Sequence, residues 1–353
     1  MTDYYDDIRT ATVRAEEAFI ALAADNESLR SLLTVKDAQI AELEADLAEC
    51  RSKDTYAAVV NPSMTVDQIK GAITDAGEGA RILWETGTYG PMRVPFLHGQ
   101  FNEAQIGTVI NLKRKVDFFA HLRSQKVRPE SVTFSGFKIT GATNAGIVPW
   151  IGTRIFGCEI SDCGWSGVRG QFENGRCNNE IADSYFHHNG WDPDALGHGA
   201  AGVKYLNGGR GDSIADGLRS YRNIYENNTG NGLWLDQDWR WFLSEDDMFL
   251  GNSLKGFFNE VSRGPSEVRG YITRGNGQAG LQVNGSQNVL IGPGVVGGNA
   301  RDRGIVVNDV LDTRKDSYRY AVENVVIARS QITFEDGDGI IVENAAAGGV
   351  SFI

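Results

Sequence analysis

Four glycines stand 24 residues apart, at Gly232, Gly256, Gly280 and Gly304. Each opens a short segment that alternates apolar with other residues: Gly-Leu-Trp-Leu-Asp, Gly-Phe-Phe-Asn-Glu, Gly-Leu-Gln-Val-Asn and Gly-Ile-Val-Val-Asn. A fixed period of this length marks a stacked repeat, whose units bury their apolar faces only against neighbours. Alternation with period two inside each unit marks a strand. The two together predict a parallel β-solenoid with one coil per repeat. The series continues upstream at Gly146, Gly167 and Gly202 and downstream at Gly339, in steps of 21, 35, 30 and 35 residues. Loops of variable length leaving the corners account for the unequal steps. Asn228, Asn252 and Asn276 each precede a glycine by four residues. Asparagine tolerates left-handed backbone, and stacked coils align such amides in a ladder.

The composition suits this architecture. The chain has 43 glycines, which corners use, and only 8 prolines, which strands reject. A net charge of −12 with no basic block argues against nucleic acid as a partner. The four cysteines, Cys50, Cys158, Cys163 and Cys177, lack metal-ligand spacing and read as reduced thiols. No apolar run reaches the ~18 residues of a membrane span. The acidic N-terminus lacks the features of a signal peptide, so synthesis in a cytoplasm without export by that route is expected.

The first 52 residues follow a different rule. Heptad positions a and d fall on Tyr5, Ile8 and Thr12 and later on Leu22, Asn26, Leu29, Leu33, Ile40, Leu43 and Leu47, uninterrupted by glycine or proline. This predicts an α-helical coiled coil over 1–52, on the order of 70 Å long. A helix packed on the solenoid is the alternative. Asn26 and Lys36 on the seam would fix register and strand number, and Asn26 would also suit a dimer. Residues 53–130 read as linker and N-terminal cap. Thr65-Val66-Asp67-Gln68 is a capping box opening a short helix with Val66, Ile69 and Ile73 on one face, to cover the open end of the coils. Residues 131–353 read as the solenoid.

The helix, the strand Ala80–Glu85 and Gly87-Thr88-Tyr89 resemble the opening of right-handed parallel β-helix proteins of the pectate-lyase-like superfamily. The runs Asn231–Asp236 and Gly256–Ser262 resemble its coils, and the resemblance covers roughly residues 62–353. It implies an all-β, right-handed, single-stranded parallel β-helix preceded by the helical stalk. A stalk leading into such a β-helix resembles bacteriophage tail spikes, fibres and minor tail proteins. That implies a homotrimeric virion component joined to other tail proteins through its stalk, which binds or degrades host surface polysaccharide. No lyase signature is present. A non-viral adhesin or scaffold is a further alternative.

The repeat also predicts where chemistry would sit. The second residue after each glycine points outward, giving a column of Val148, Arg169, Lys204, Trp234, Phe258, Gln282, Val306 and Ile341. The fourth gives Trp150, Gln171, Leu206, Asp236, Glu260, Asn284, Asn308 and Glu343. Coils ~4.8 Å apart would make Asp236 and Glu260 neighbours, beside exposed Trp234 and Phe258. Paired carboxylates flanked by aromatic platforms suit a glycan site, with Asp236 and Glu260 as the catalytic pair of a depolymerase. A polar outer face, an interface or a packed surface accounts for the same residues without chemistry. Asp238, Trp239 and Trp241 would extend the platform. Trp191 and Asp192, in the loop His187–His198, are further glycan contacts, whereas Trp165 reads as corner packing. No cofactor and no metal centre are expected. Asp238, Glu245, Asp246 and Asp247 leave a structural calcium ion as the one open possibility.

Overall fold

The computed structural model describes residues 56–353 except 126–127, 173–174, 197, 208–214, 238, 310–320 and 344–348. The heptad region with Leu22, Asn26, Leu29, Leu33, Ile40, Leu43 and Leu47 lies outside the described residues, and so does Asp238.

The alternating segments form three parallel sheets of thirteen, ten and nine strands, visited in turn by each coil. The first sheet runs from the strand Ala58–Val60 to Val350–Phe352, the third from Ala120–His121 to Gly339–Glu343. The coils thus begin at Ala58, inside the segment read from sequence as linker and cap. Register follows the repeat: Leu233, Phe257, Leu281 and Ile305 are successive Cα partners, and so are Trp234, Phe258, Gln282 and Val306. Leu235 and Val283 are fully buried, as the alternation predicts. One core runs through the coils, with Phe186, Tyr225 and Phe249 stacked at 5.3 Å between ring centroids.

The N-terminal helix spans Val66–Ala76. Thr65 and Gln68 make both bonds of the capping box, and Ile69 and Ile73 are buried. At its other end Gln100 Nε2 donates to the carbonyls of Ile73 and Gly77, satisfying acceptors the helix leaves open.

Asparagines close the corner between the second and third sheets. The amide Nδ2 and backbone N–H of Asn189 donate to Asn228 Oδ1, and the pattern repeats through Asn252, Asn276 and Asn299 to Asp338. The repeat glycines are required by packing rather than by backbone conformation. None from Gly146 to Gly304 has left-handed backbone. A Cβ at any of these seven would instead lie between 2.5 and 3.1 Å from the carbonyl oxygen of the glycine one coil on. Left-handed backbone recurs instead at the corners, and one such column lies two residues before the paired positions of the first sheet. Gly79, Gly99, Ser131, Gly152, Asn178 and Gly217 occupy it, followed after two coils by Asn288 and Asn324.

Candidate functional site on the third sheet

Asp236 and Glu260 end neighbouring strands of the third sheet, Asn231–Asp236 and Lys255–Glu260, and are direct Cα partners. The aromatic residues beside them are placed as predicted but not exposed. Trp234 is 6% exposed and Phe258 5%. They pack on each other at 5.6 Å, and cations cover them. Lys204 Nζ stands 3.2 Å from the centroid of Trp234, and Lys255 Nζ stands 4.2 Å from that of Phe258. Lysine stems lie along apolar surface while the ammonium meets the ring face. A sugar ring therefore has no open indole or phenyl face to stack on here.

Lys204 organises the cluster. It comes from the preceding strand, Ala201–Asn207, as the direct partner of Trp234. The residue is 2% exposed, and its ammonium pairs with Asp236 Oδ2 at 3.0 Å and donates to the His198 carbonyl at 3.0 Å. Burial pushes its pKa down, and Asp236 opposes that shift. Trp234 Nε1 donates to Glu260 Oε2 at 3.1 Å. Burial, and then the Asp236 charge, push the Glu260 carboxyl above its ordinary range, against the pull of Lys204, Trp234 and Lys255. Burial likewise lowers the pKa of Lys255 and of Arg169, the partner of Lys204 one coil back. Among the described residues, neither Lys255 nor Arg169 is held in an ion pair. The face thus combines three desolvated cations with two neighbouring carboxyls: Asp236 is ion-paired to Lys204, and Glu260, whose pKa burial raises, accepts from Trp234. Environments that treat two neighbouring carboxyls differently are how acid and base roles are divided.

The other predicted contacts are dispersed. Trp239 and Trp241 lie on the strand Trp239–Glu245 of the first sheet, not beside Asp236 on the third. Trp239 is fully buried in the core, with Nε1 donating to the Asp236 carbonyl, so it is no platform. Trp241 is 66% exposed. Trp150, expected outward, turns into the core and stacks on Phe172 at 5.7 Å, because its strand ends at Val148. Trp191 is half-buried. Its Nε1 donates to the Asp162 carbonyl and Arg114 covers its ring at 4.3 Å. Asp192 caps the 3-10 turn Pro193–Ala195 and accepts from Trp165 Nε1. Trp165 in turn carries Arg169 over its ring at 4.4 Å, which ties this loop to the edge of the charged face. Two members of the acidic run have partners within the protein. Asp247 is buried and accepts from Ser220, Ser244 and Asn223, while Glu245 pairs with Arg269 on the outside. Among the described residues no three His, Cys, Asp or Glu side chains group for a metal.

The sequence reading missed the part played by Lys204 and Lys255. Lys204 stood in the same outward column one coil before Trp234, which was the available signal. Lys255 precedes its glycine and lay outside both columns.

No family model matches the chain, and no curated protein matches it. Solved structures do. The alginate lyase of Paenibacillus sp. str. FPU-7 is 16% identical, with a TM-score of 0.53 over 83% of this chain and 99% of that one. The A-module of the Azotobacter vinelandii mannuronan C-5 epimerase AlgE6 is also 16% identical, with a TM-score of 0.51 over the same shares. The periplasmic alginate epimerase AlgG is 12% identical, with a TM-score of 0.50 over 84% of this chain and 83% of that one. The fold is a right-handed parallel β-helix, as in these structures. At these identities the likeness concerns the β-helix alone. Among the described residues no helix is long and apolar enough to cross a membrane.

Proposed function

We propose that this β-helix binds acidic polysaccharide along the outer face of its third sheet. The observation that carries the reading is the cluster of Arg169, Lys204 and Lys255 around Asp236 and Glu260. Buried charge is costly, and a coil face that only had to meet water would have no need of it. Arg169 and Lys255, which lie over aromatic rings and form no ion pair among the described residues, offer positive charge within a chain of net charge −12. Cations so placed favour glycans bearing carboxylates. Solved structures of this fold named for mannuronan and alginate support that substrate class. The protein is further proposed to be a homotrimeric bacteriophage tail component that meets host surface glycans, with residues 1–52 as the coiled-coil stalk joining it to the virion.

A second reading, hydrolysis, draws on the raised pKa of Glu260 beside Asp236. Glu260 would protonate the leaving oxygen. Carboxyls on adjacent strands suit the ~5 Å spacing at which the partner attacks the sugar directly.

Affinity electrophoresis of the full chain in gels containing alginate tests both. Arg169→Ala and Lys255→Ala should each weaken retardation at least severalfold. Unchanged mobility of the double variant would remove the third sheet from glycan binding. Release of reducing ends that Glu260→Gln abolishes without loss of retardation establishes hydrolysis. Retardation with no release leaves a binding protein.

A further inference from the structure

The first sheet carries a separate shallow groove of about 670 Å³. Its floor is the outward row Leu243, Leu290 and Val326, with Arg219 and Glu267 interspersed, and Trp241 stands on its wall. Trp241 is anomalous twice over. It is 66% exposed, while the other six tryptophans are buried or half-buried. It also sits in the left-handed column, at φ +52°, where its neighbours are Gly217 on one side and, beyond Pro265, Asn288 and Asn324 on the other. Glycine and asparagine adopt that conformation readily, and a bulky aromatic residue does not. A strained, solvent-facing tryptophan in a column otherwise held by glycine, serine, asparagine and one proline points to a role outside folding.

We infer that this groove is a second glycan site, specific for uncharged hexopyranose units, with Trp241 as the stacking platform. A pyranose presents a C–H face to the indole and hydroxyls around its rim. Polar groups stand ready at the groove edge. Asn324 Nδ2 donates to Asn288 Oδ1 and Asn288 Nδ2 to the Arg263 carbonyl, so both amides are fixed in orientation. The charge is balanced. Arg219 and Glu267 flank Leu243 with opposite signs, and Arg269 beside them is shared between Glu267 and Glu245, so two cations meet two carboxylates. Nothing here favours a carboxylate, in contrast to the third sheet. The dimensions suit a small ligand. The volume lies within the range of about 300–1,000 Å³ typical of small-ligand sites. The inference uses none of the third-sheet residues and stands or falls without them.

Titration calorimetry of the full chain with cellohexaose, maltohexaose and mannohexaose tests it, with light scattering and thermal unfolding alongside. At least one hexasaccharide should bind. Trp241→Asn should lower that affinity about tenfold or more, Trp241→Phe should retain part of it, and Arg169→Ala/Lys255→Ala should leave it unchanged. Trp241→Asn should also raise Tm by about 2–4 °C, because asparagine suits the left-handed position. Three results overturn the proposal: no binding of any of the three sugars by the wild type, wild-type affinity in Trp241→Asn, or a change of oligomeric state in Trp241→Asn. The last would make the groove a contact between copies of the chain.

Discussion

Asn259 occupies an inward position of the third sheet, between Leu235 and Val283 in register, and is fully buried. Neither its Oδ1 nor its Nδ2 has a partner among the described residues. A buried amide left unpaired costs on the order of 1–3 kcal/mol. Asn259→Val should therefore raise the free energy of unfolding in urea by about that amount. A loss of stability instead would mean that water bonds this amide. Asp247 differs in kind, being a carboxyl fully surrounded by donors. Burial still raises its pKa from 3.8 to about 6. A folded-state pKa above the unfolded value means that the folded chain holds the proton to higher pH. This residue thus favours folding most below pH 4, and stability falls as pH rises through about 6. The penalty at neutral pH is about 2–3 kcal/mol. Asp247→Asn should accordingly be more stable than the parent at pH 8, with the gap closing toward pH 4. A gap independent of pH would show that charge at this position is not its source.

The glycine column shows how much a strand's sequence discloses about its surroundings. The period of 24 was visible, and it correctly set strand register, inward residues and the coil-to-coil partnership of Asp236 with Glu260. The reason for glycine was not visible, because close approach between coils leaves no mark on local sequence. Gly256→Ala would place a Cβ 2.6 Å from the Gly280 carbonyl oxygen and beside Phe249. It should cost on the order of 3 kcal/mol, whereas Gly339→Ala, with nothing within 4 Å, should stay within about 0.5 kcal/mol. Equal losses in denaturant midpoint would rule out inter-coil crowding as the constraint. The same limit explains Trp234 and Phe258. Alternation states which way a side chain leaves the strand, but not what comes to lie over it. The covering groups, Lys204 and Lys255, arrive from a neighbouring coil and from the strand's own first residue. Trp241 was misplaced for a related reason. Only four residues of chain lie between it and Asp236, yet a corner intervenes and moves it to another sheet.

For the molecule as a whole, the heptads of residues 1–52 and the coils from Ala58 onward follow different rules of assembly. The proposed stalk leads to a definite expectation. Multi-angle light scattering should give a trimer for the full chain, and a much weaker association for a fragment starting at Tyr56, which keeps the first strand intact. A monomeric full chain would remove the stalk. Within the coils, the asparagine ladder has a direction. Each amide gives its backbone N–H and an Nδ2 hydrogen to the side-chain oxygen of the coil ahead, while Nδ2 also donates to a backbone carbonyl of the coil behind, so the side-chain-to-side-chain bonds all run the same way. Asp338 takes the last place. It accepts from Asn299 through Oδ2, while its own backbone N–H turns back to the Glu335 carbonyl. A carboxylate can receive such a relay but has no hydrogen to pass on. The exchange of one amide for one acid therefore works as punctuation, a full stop in the relay of amides though not in the strands, which go on to Gly339–Glu343 and Val350–Phe352.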